Sequence, residues 1–384
     1  MSLLLGALLP IAGSVQSFAF IDQASRQASS ASDLNARLHR LHRGINFSQW
    51  FAQAGGSGGL NPEHFQNYIT EKDVALVKKL GMDHVRFSID PTPMFNESKP
   101  EDISPQYLGY IDHAVQMITG QGLAVLIDIH PPSEFNQRLG KDDRHVRAFA
   151  SFWRALARHF SDTDPNLVYL EIINEPEVQD GYRWLGIQAK VAAAIREGAP
   201  KHTIIATGHM FSSDPQFLFL QPLPDPNVIY NFHFYDPHWF THQGASWGVD
   251  TWTYLREIPY PSTLENIKPK LSQVPNLEQR AELSRYGADQ WNAGRIDNEM
   301  DQVAAWAAQY HASVICDEFG VYRKYSNPED RARWLHDVRT SLEKHNMGWT
   351  MWDYVGGFAL VNDNNGVRIP DALTVQALGL NQSR

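Results

Sequence analysis

The sequence predicts an α/β chain folded as a closed (β/α)8 barrel, the TIM-barrel architecture, in a single domain with one long excursion. Three observations carry this. From Leu41 onward short apolar runs alternate with amphipathic helical patterns almost to the C-terminus, as repeated βαβ units around a parallel sheet require. Runs such as Leu123-Ala124-Val125-Leu126-Ile127 are apolar without a break, which marks strands covered on both faces. Eight such runs fit a chain of 384 residues as a barrel better than as an open sheet.

The first run is Gly44-Ile45-Asn46-Phe47. Gly55-Gly56-Ser57-Gly58-Gly59 follows, without the Lys-Ser/Thr ending of a phosphate cradle, and reads as a flexible connection. Glu71 to Leu80 is a helix closed by Gly81, and His84 to Ile89 is the second strand. A helix from Pro105 to Thr119 ends at Gly120, and the third strand, Leu123 to His130, is stopped by Pro131-Pro132. Asp142 to Phe160 is helical. The fourth strand, Leu167 to Ile173, runs into Asn174-Glu175-Pro176, where proline removes a ladder donor and leaves a carboxylate at the strand end. Tyr182 to Gly198 is a helix capped by Gly198 and Pro200, ahead of a fifth strand at Thr203 to Ala206 and a sixth at Val228 to Phe232. Asp236 to Arg295 is the excursion, aromatic first and helical toward its end; a connection that long is commonly functional or a surface insertion. Ser313 to Cys316 is the seventh strand, Pro328 to Lys344 a helix, and Gly348 to Trp352 the eighth strand.

Ahead of the barrel, Met1 to Phe20 is too short and interrupted to span a membrane. It reads as a secretory signal with Ser17-Phe18-Ala19 as the cleavage site, although it lacks a basic n-region. Residues 21–40 read as a linker outside the fold, leaving 41–384 as the catalytic domain. The expected location is secreted or periplasmic. Cys316 is the single cysteine, which excludes an intrachain disulfide.

With 43% hydrophobic and 20% charged residues the composition is that of a soluble globular protein. A net charge of -10 without a basic stripe argues against nucleic acid and anionic lipid as partners. The 11 tryptophans are generous and supply flat faces of the kind that stack on sugar rings.

The residues at the strand ends are unusual: Asn46, Arg86, His130, Asn174-Glu175, His233 with Tyr235, Asp317-Glu318 and Trp352. Parallel barrel strands bring them all to one rim. Glu175 and Glu318 are the natural chemical pair. Glycoside hydrolysis uses one carboxylic acid to protonate the leaving oxygen and one carboxylate on the other side of the sugar. Arg86 and Tyr235 are suited to keeping one of them ionised, and Asn174 to holding the hydroxyl beside the reacting carbon. His130 and His233 suit substrate hydroxyls or the relay of hydrogen bonds. His238, Trp239, His242, Gln243, Trp247 and Trp252 of the excursion are expected to wall the cleft, with Trp239 and Trp247 on the sugar. Cys316, turned from the rim by strand alternation, reads as a small buried hydrophobe.

In order along the chain, Arg86, His130, Asn174-Glu175-Pro176, His233-Phe234-Tyr235, Glu318-Phe319-Gly320 and Trp352 resemble the motif series of glycoside hydrolase family 5, the cellulase family. The resemblance implies a (β/α)8 barrel and a retaining double displacement, with Glu175 as acid/base and Glu318 as nucleophile. It also implies that Arg86, His130, Asn174, His233, Tyr235 and Trp352 line the subsite of cleavage, without metal or organic cofactor. The expected activity is a secreted, monomeric endo-β-1,4-glucanase acting on a β-linked polysaccharide. β-Mannan and β-1,3-glucan remain alternative substrates. A carbohydrate-binding protein that lost turnover is the alternative of another class, and the presence of both glutamates counts against it.

Overall fold

The computed structural model describes residues 33–56 and 59–381. The expected signal segment lies outside these residues. Eight parallel strands form a closed barrel in sequence order: β1 (Arg43–Phe51), β2 (His84–Ile89), β3 (Ala124–Ile129), β4 (Val168–Glu171), β5 (Thr203–Thr207), β6 (Val228–Phe234), β7 (Ser313–Phe319) and β8 (Gly348–Met351). β8 closes on β1 through the pairs Arg43↔Trp349, Gly44↔Thr350 and Ile45↔Met351. The barrel expected from the alternating pattern is the fold observed.

Strand alternation divides the side chains into two populations. Val85, Phe87 and Ile89 of β2, like Val125, Ile127 and Ile129 of β3, join the large core beneath the helices. Leu126, Tyr169, Ile205, Ile229 and Ile315 meet each other inside the barrel and plug its lower half. Above that plug the interior turns polar, with Asn46, Arg86, Asp128, Glu171, Asn231 and Asp317 all fully buried. The site is built on this polar layer.

The lower mouth is sealed by a segment that composition assigns to a linker. Residues 33–38 are helical; Leu34 and Leu38 pack against the plug. Arg37 donates from Nη1 to the Lys201 carbonyl at 2.9 Å and from Nε to Asn166 Oδ1 at 3.2 Å. Residues 33–38 therefore pack with the barrel rather than apart from it. A helix this short carries little periodicity of its own, and only the open end of the barrel gives its two half-buried leucines apolar neighbours.

Side chains cap the major helices as their sequences suggest, with Ser104, Asp142, Asp180 and Asn327 each accepting from the first turn. Gly81, at φ 88°, closes Glu71–Lys79 as expected. Gly120 and Gly198 do not act as caps; each is the last residue of its helix, Pro105–Gly120 and Gly181–Gly198. Gly198 is required by packing instead: a Cβ there would sit 2.5 Å from the Arg154 carbonyl oxygen, on the neighbouring helix Asp143–Phe160. After β8 a hairpin, β9 (Val361–Asn364) and β10 (Val367–Pro370), turns on Asn365-Gly366, both left-handed. That dipeptide is a hairpin signal the element reading passes over.

The excursion after β6 is folded, with helices His238–Thr241, Leu264–Ile267 and Leu277–Ala288. Leu255, Ile258 and Tyr260 are buried, and Tyr260 is tied to Asp337 at 2.8 Å. It is thus fixed to the barrel wall beside the site.

Candidate active site

Arg86, pointing into the barrel from β2, is fully buried and organises the polar layer. Its guanidinium donates to both oxygens of Glu171, at 2.8 and 2.7 Å, and to Asn174 Oδ1 at 2.9 Å. Nη1 reaches Asn46 Oδ1 at 3.0 Å and Glu318 Oε1 at 2.5 Å. Burial alone works against this charge, but Asp128, Glu171, Asp317 and Glu318 hold its pKa well above the ordinary value. A planar fork with five donors is what such a set of planar acceptors needs.

Glu318 reaches the interior because β7 is bulged. Cys316 pairs with Phe232 but Glu318 pairs with His233, so Asp317 is an extra residue on β7. A strict two-residue period would send Asp317 inward and Glu318 outward with Cys316. The bulge turns both acids inward: Asp317 accepts from Asn231 Nδ2 at 2.5 Å, and Glu318 meets Arg86. Cys316 stays on the outer face, fully buried in the core beneath the helices.

The second oxygen of Glu318 accepts from the Tyr235 hydroxyl at 2.9 Å. Burial, then the charges of Glu318 and Glu175, raise the Tyr235 pKa well above its usual value, so the phenol remains a donor. Burial also raises Glu318 above the ordinary carboxylate range, a push that the charges of His233 and Arg86 oppose and that Glu175 reinforces. Glu175, 29% exposed in its side chain, is bound by His233 Nδ1 at 2.8 Å. The other nitrogen of His233 lies 3.3 Å from Asp317 Oδ1. Burial disfavours the imidazolium, yet Glu318, Asp317 and Glu175 hold His233 well above its ordinary pKa.

Acceptor atoms of Glu175, His233 and Glu318 lie within 4.8 Å of one another, the one such convergence of metal-ligand types among the described residues. The acidic neighbours raise the pKa of His233, which favours the imidazolium and makes it a poorer cation ligand. The trio is suited to proton transfer.

His130 is oriented from both sides. Nδ1 faces Asp128 Oδ2 at 3.0 Å, and Nε2 faces the amides of Gln53 at 3.0 Å and Asn174 at 3.2 Å. Its ring is nearly parallel to that of Trp352, with centroids 5.7 Å apart. The open cleft above has a volume of about 980 Å³ and is lined by His130, Asn174, Glu175, His233, Tyr235, Glu318 and Trp352. The excursion contributes His238, His242, Trp247 and Trp252 to its wall.

Four expected contacts fall elsewhere. Asn46 and Arg86 are completely buried beneath the cleft and support its floor. Asn46 lies inside β1, not at its end, and its amide nitrogen bonds the carbonyls of Asp317 at 3.0 Å and Met351 at 3.2 Å. Trp239 is absent from the cleft lining and lines a neighbouring hollow instead. Gln243 is buried, and its amide ties Phe240 to Ile258 within the excursion.

The cleft also gains residues that the sequence reading misses, among them Gln49, Gln53, Phe211, Tyr322 and Phe358. Met210, Phe211 and Ser212 carry successive φ angles of 44°, 66° and 55° just past β5. No glycine announces that left-handed turn, so its presentation of Phe211, 48% exposed, has no sequence signal.

The sequence matches the family model described as cellulase (glycosyl hydrolase family 5) over residues 46–357. It is 27% identical over 317 residues to Endoglucanase C of Acetivibrio thermocellus, covering 81% of this chain and 90% of that protein. To Cellodextrinase A of Ruminococcus flavefaciens it is 26% identical over 314 residues, with 79% and 82% covered. The structure of endoglucanase Cel5A from Thermotoga maritima is similar, with a TM-score of 0.72 at 22% identity, covering 90% of this chain and 99% of that one. At that identity the structural likeness concerns the fold.

Proposed function

The chain belongs to glycoside hydrolase family 5, and from that premise we propose that this glycoside hydrolase is a retaining endo-β-1,4-glucanase in which Glu318 is the nucleophile and Glu175 the acid/base. One observation carries the pairing: oxygens of the two carboxylates approach within 4.8 Å across His233. Retaining pairs lie roughly 5–5.5 Å apart, whereas inverting pairs leave about 6.5–9.5 Å for a water. The endoglucanase names of relatives such as Endoglucanase C support the β-1,4-glucan reading.

In the first step a Glu318 oxygen attacks the anomeric carbon. The glycosidic C–O bond breaks, and Glu175 gives its proton to the departing oxygen. In the second, water loses a proton to the Glu175 carboxylate and displaces Glu318 from the sugar. Two strong donors on Glu318, Arg86 and Tyr235, favour the charged form that a nucleophile needs. The bond of Glu175 to His233 aims it into the cleft while leaving it partly exposed for proton exchange. Trp352 and His130 form a flat wall for the sugar at the cleavage point. We extend the reading to export, resting on Met1 to Ala19, with the N-terminal residue of protein recovered outside the cell as its check.

The test is a screen of purified protein on cellulosic, mixed-linkage, mannan and β-1,3-glucan substrates, recording product sizes and anomeric configuration. Internal cleavage of β-1,4-glucan with retained configuration is expected. Glu318→Gln should abolish turnover with the fold intact, and Glu175→Gln should spare activated aryl glycosides most. An inverted product, or normal turnover in Glu318→Gln, overturns the assignment.

A further inference from the structure

A second hollow of about 560 Å³ lies beside the catalytic cleft, within the ~300–1,000 Å³ of small-ligand pockets. The two share a wall: Asp236, His238, Val249 and Trp252 line both. That wall is stiff, because the His238 and Trp252 rings stack at 12° with centroids 5.5 Å apart. Trp239 and Trp291 face only the second hollow.

The tryptophans sort by the fate of their indole N–H. Those of Trp50, Trp153, Trp184, Trp306, Trp334 and Trp349 each donate to an oxygen of the protein, as buried indoles do. The remaining five of the 11 are Trp239, Trp247, Trp252, Trp291 and Trp352, and each lines the cleft or the second hollow. None of these five N–H groups is among the buried donors left without a partner. Each is therefore open to solvent, and a ligand hydroxyl can accept from it. The hollow thus has the two chemical features of the cleft's sugar wall, flat apolar faces and uncommitted donors. It adds Glu282, Arg285 and Asp289, exposed side chains free to exchange hydrogen bonds with hydroxyls.

We infer that this second hollow binds a further segment of neutral β-glucan, held across the His238–Trp252 wall from the scissile bond. The inference rests on the β-glucan reading of the cleft and extends it to a site outside the catalytic groove. Neutrality follows from the charges present: Asp236, Glu282 and Asp289 outnumber Arg285, so uronate-bearing chains are repelled. The site serves long substrates, because a short glycoside fills the cleft alone.

The test compares wild type with Trp239→Ala and, separately, Arg285→Ala, an exposed position whose loss leaves the fold intact. Each is assayed on soluble carboxyl-free β-1,4-glucan polymer and on an aryl cellobioside. The polymer-to-cellobioside ratio of kcat/KM should fall about three- to tenfold in Trp239→Ala, the loss of one stacking contact, and by less in Arg285→Ala. The fall should appear in KM. Polygalacturonate should not compete with the polymer. An unchanged ratio in both variants, or competition by polygalacturonate, overturns the inference while leaving the catalytic reading standing. Failure of wild type to cleave either substrate overturns the catalytic reading instead.

Discussion

Replacing Tyr235 by Phe removes a single hydroxyl that donates to the Glu318 carboxylate at 2.9 Å and leaves the ring in place. A hydrogen bond to a charged group contributes about 1.5–3 kcal/mol. Because it favours the charged form, its loss raises Glu318 further, by about one to two pH units. The acid limb of kcat/KM, already above the ordinary carboxylate range because Glu318 is buried, should therefore move upward by that amount. The two chemical steps respond differently. Glu318 loses charge as it attacks and regains it when water displaces it from the sugar, so the missing donor slows the second step more. With half the charge developed, the cost is about 0.7–1.5 kcal/mol, or about three- to tenfold. An aryl cellobioside with a good leaving group should show a larger initial burst, a lower kcat and a lower KM than wild type. Rapid-quench measurement of the burst and a full pH profile read both effects. An acid limb that stays in place, with no change in burst, refutes the assignment of Tyr235 as the donor that sustains the nucleophile.

Arg37→Ala should destabilise the protein by about 1–3 kcal/mol in chemical denaturation, since it removes the buried guanidinium that ties residue 37 to the Lys201 carbonyl, Thr203 and Asn227 across the lower mouth; kcat/KM should stay within about twofold. His202 supplies a pH test of stability. Burial, with Arg37 and Arg196 nearby, lowers its pKa to about 4, so the native state holds it neutral while the unfolded chain binds a proton below about 6.5. Its contribution is complete above pH ~6.5 and is lost as pH falls toward about 4, on the order of 2–3 kcal/mol. His202→Gln should flatten the stability curve in that window, and an unchanged slope would exclude His202 as its source.

Much of the barrel is legible in the sequence because a strand covered on both faces must be apolar without interruption, and such runs stop where polar groups meet solvent. β3 and β4 announce themselves in this way. The rim residues His130, Glu175, His233, Tyr235, Glu318 and Trp352 are legible for a related reason, being polar or aromatic groups set directly beside apolar runs, and all of them line one cleft. Asn46 and Arg86 belong to the same reading but lie below the cleft, since an end-of-strand position estimated to within two residues does not separate rim from floor. Trp239 carries the same composition signal as Trp247 and Trp252, yet lines only the neighbouring hollow; sequence offers no period there to assign a face.

The sequence by itself determined eight strands, their parallel order and two glutamates near one end of the barrel, because apolar period and chain connectivity are local properties. Tertiary structure decided what those glutamates face. Alternation alone would point Glu318 outward with Cys316; the bulge at Asp317 turns it in, and a bulge exists only as a mismatch between two strands. Closure of the barrel likewise buries Arg86 among Asp128, Glu171, Asp317 and Glu318, acids far from it in sequence. Their shared charge, which no single segment contains, holds the Arg86 pKa well above its ordinary value.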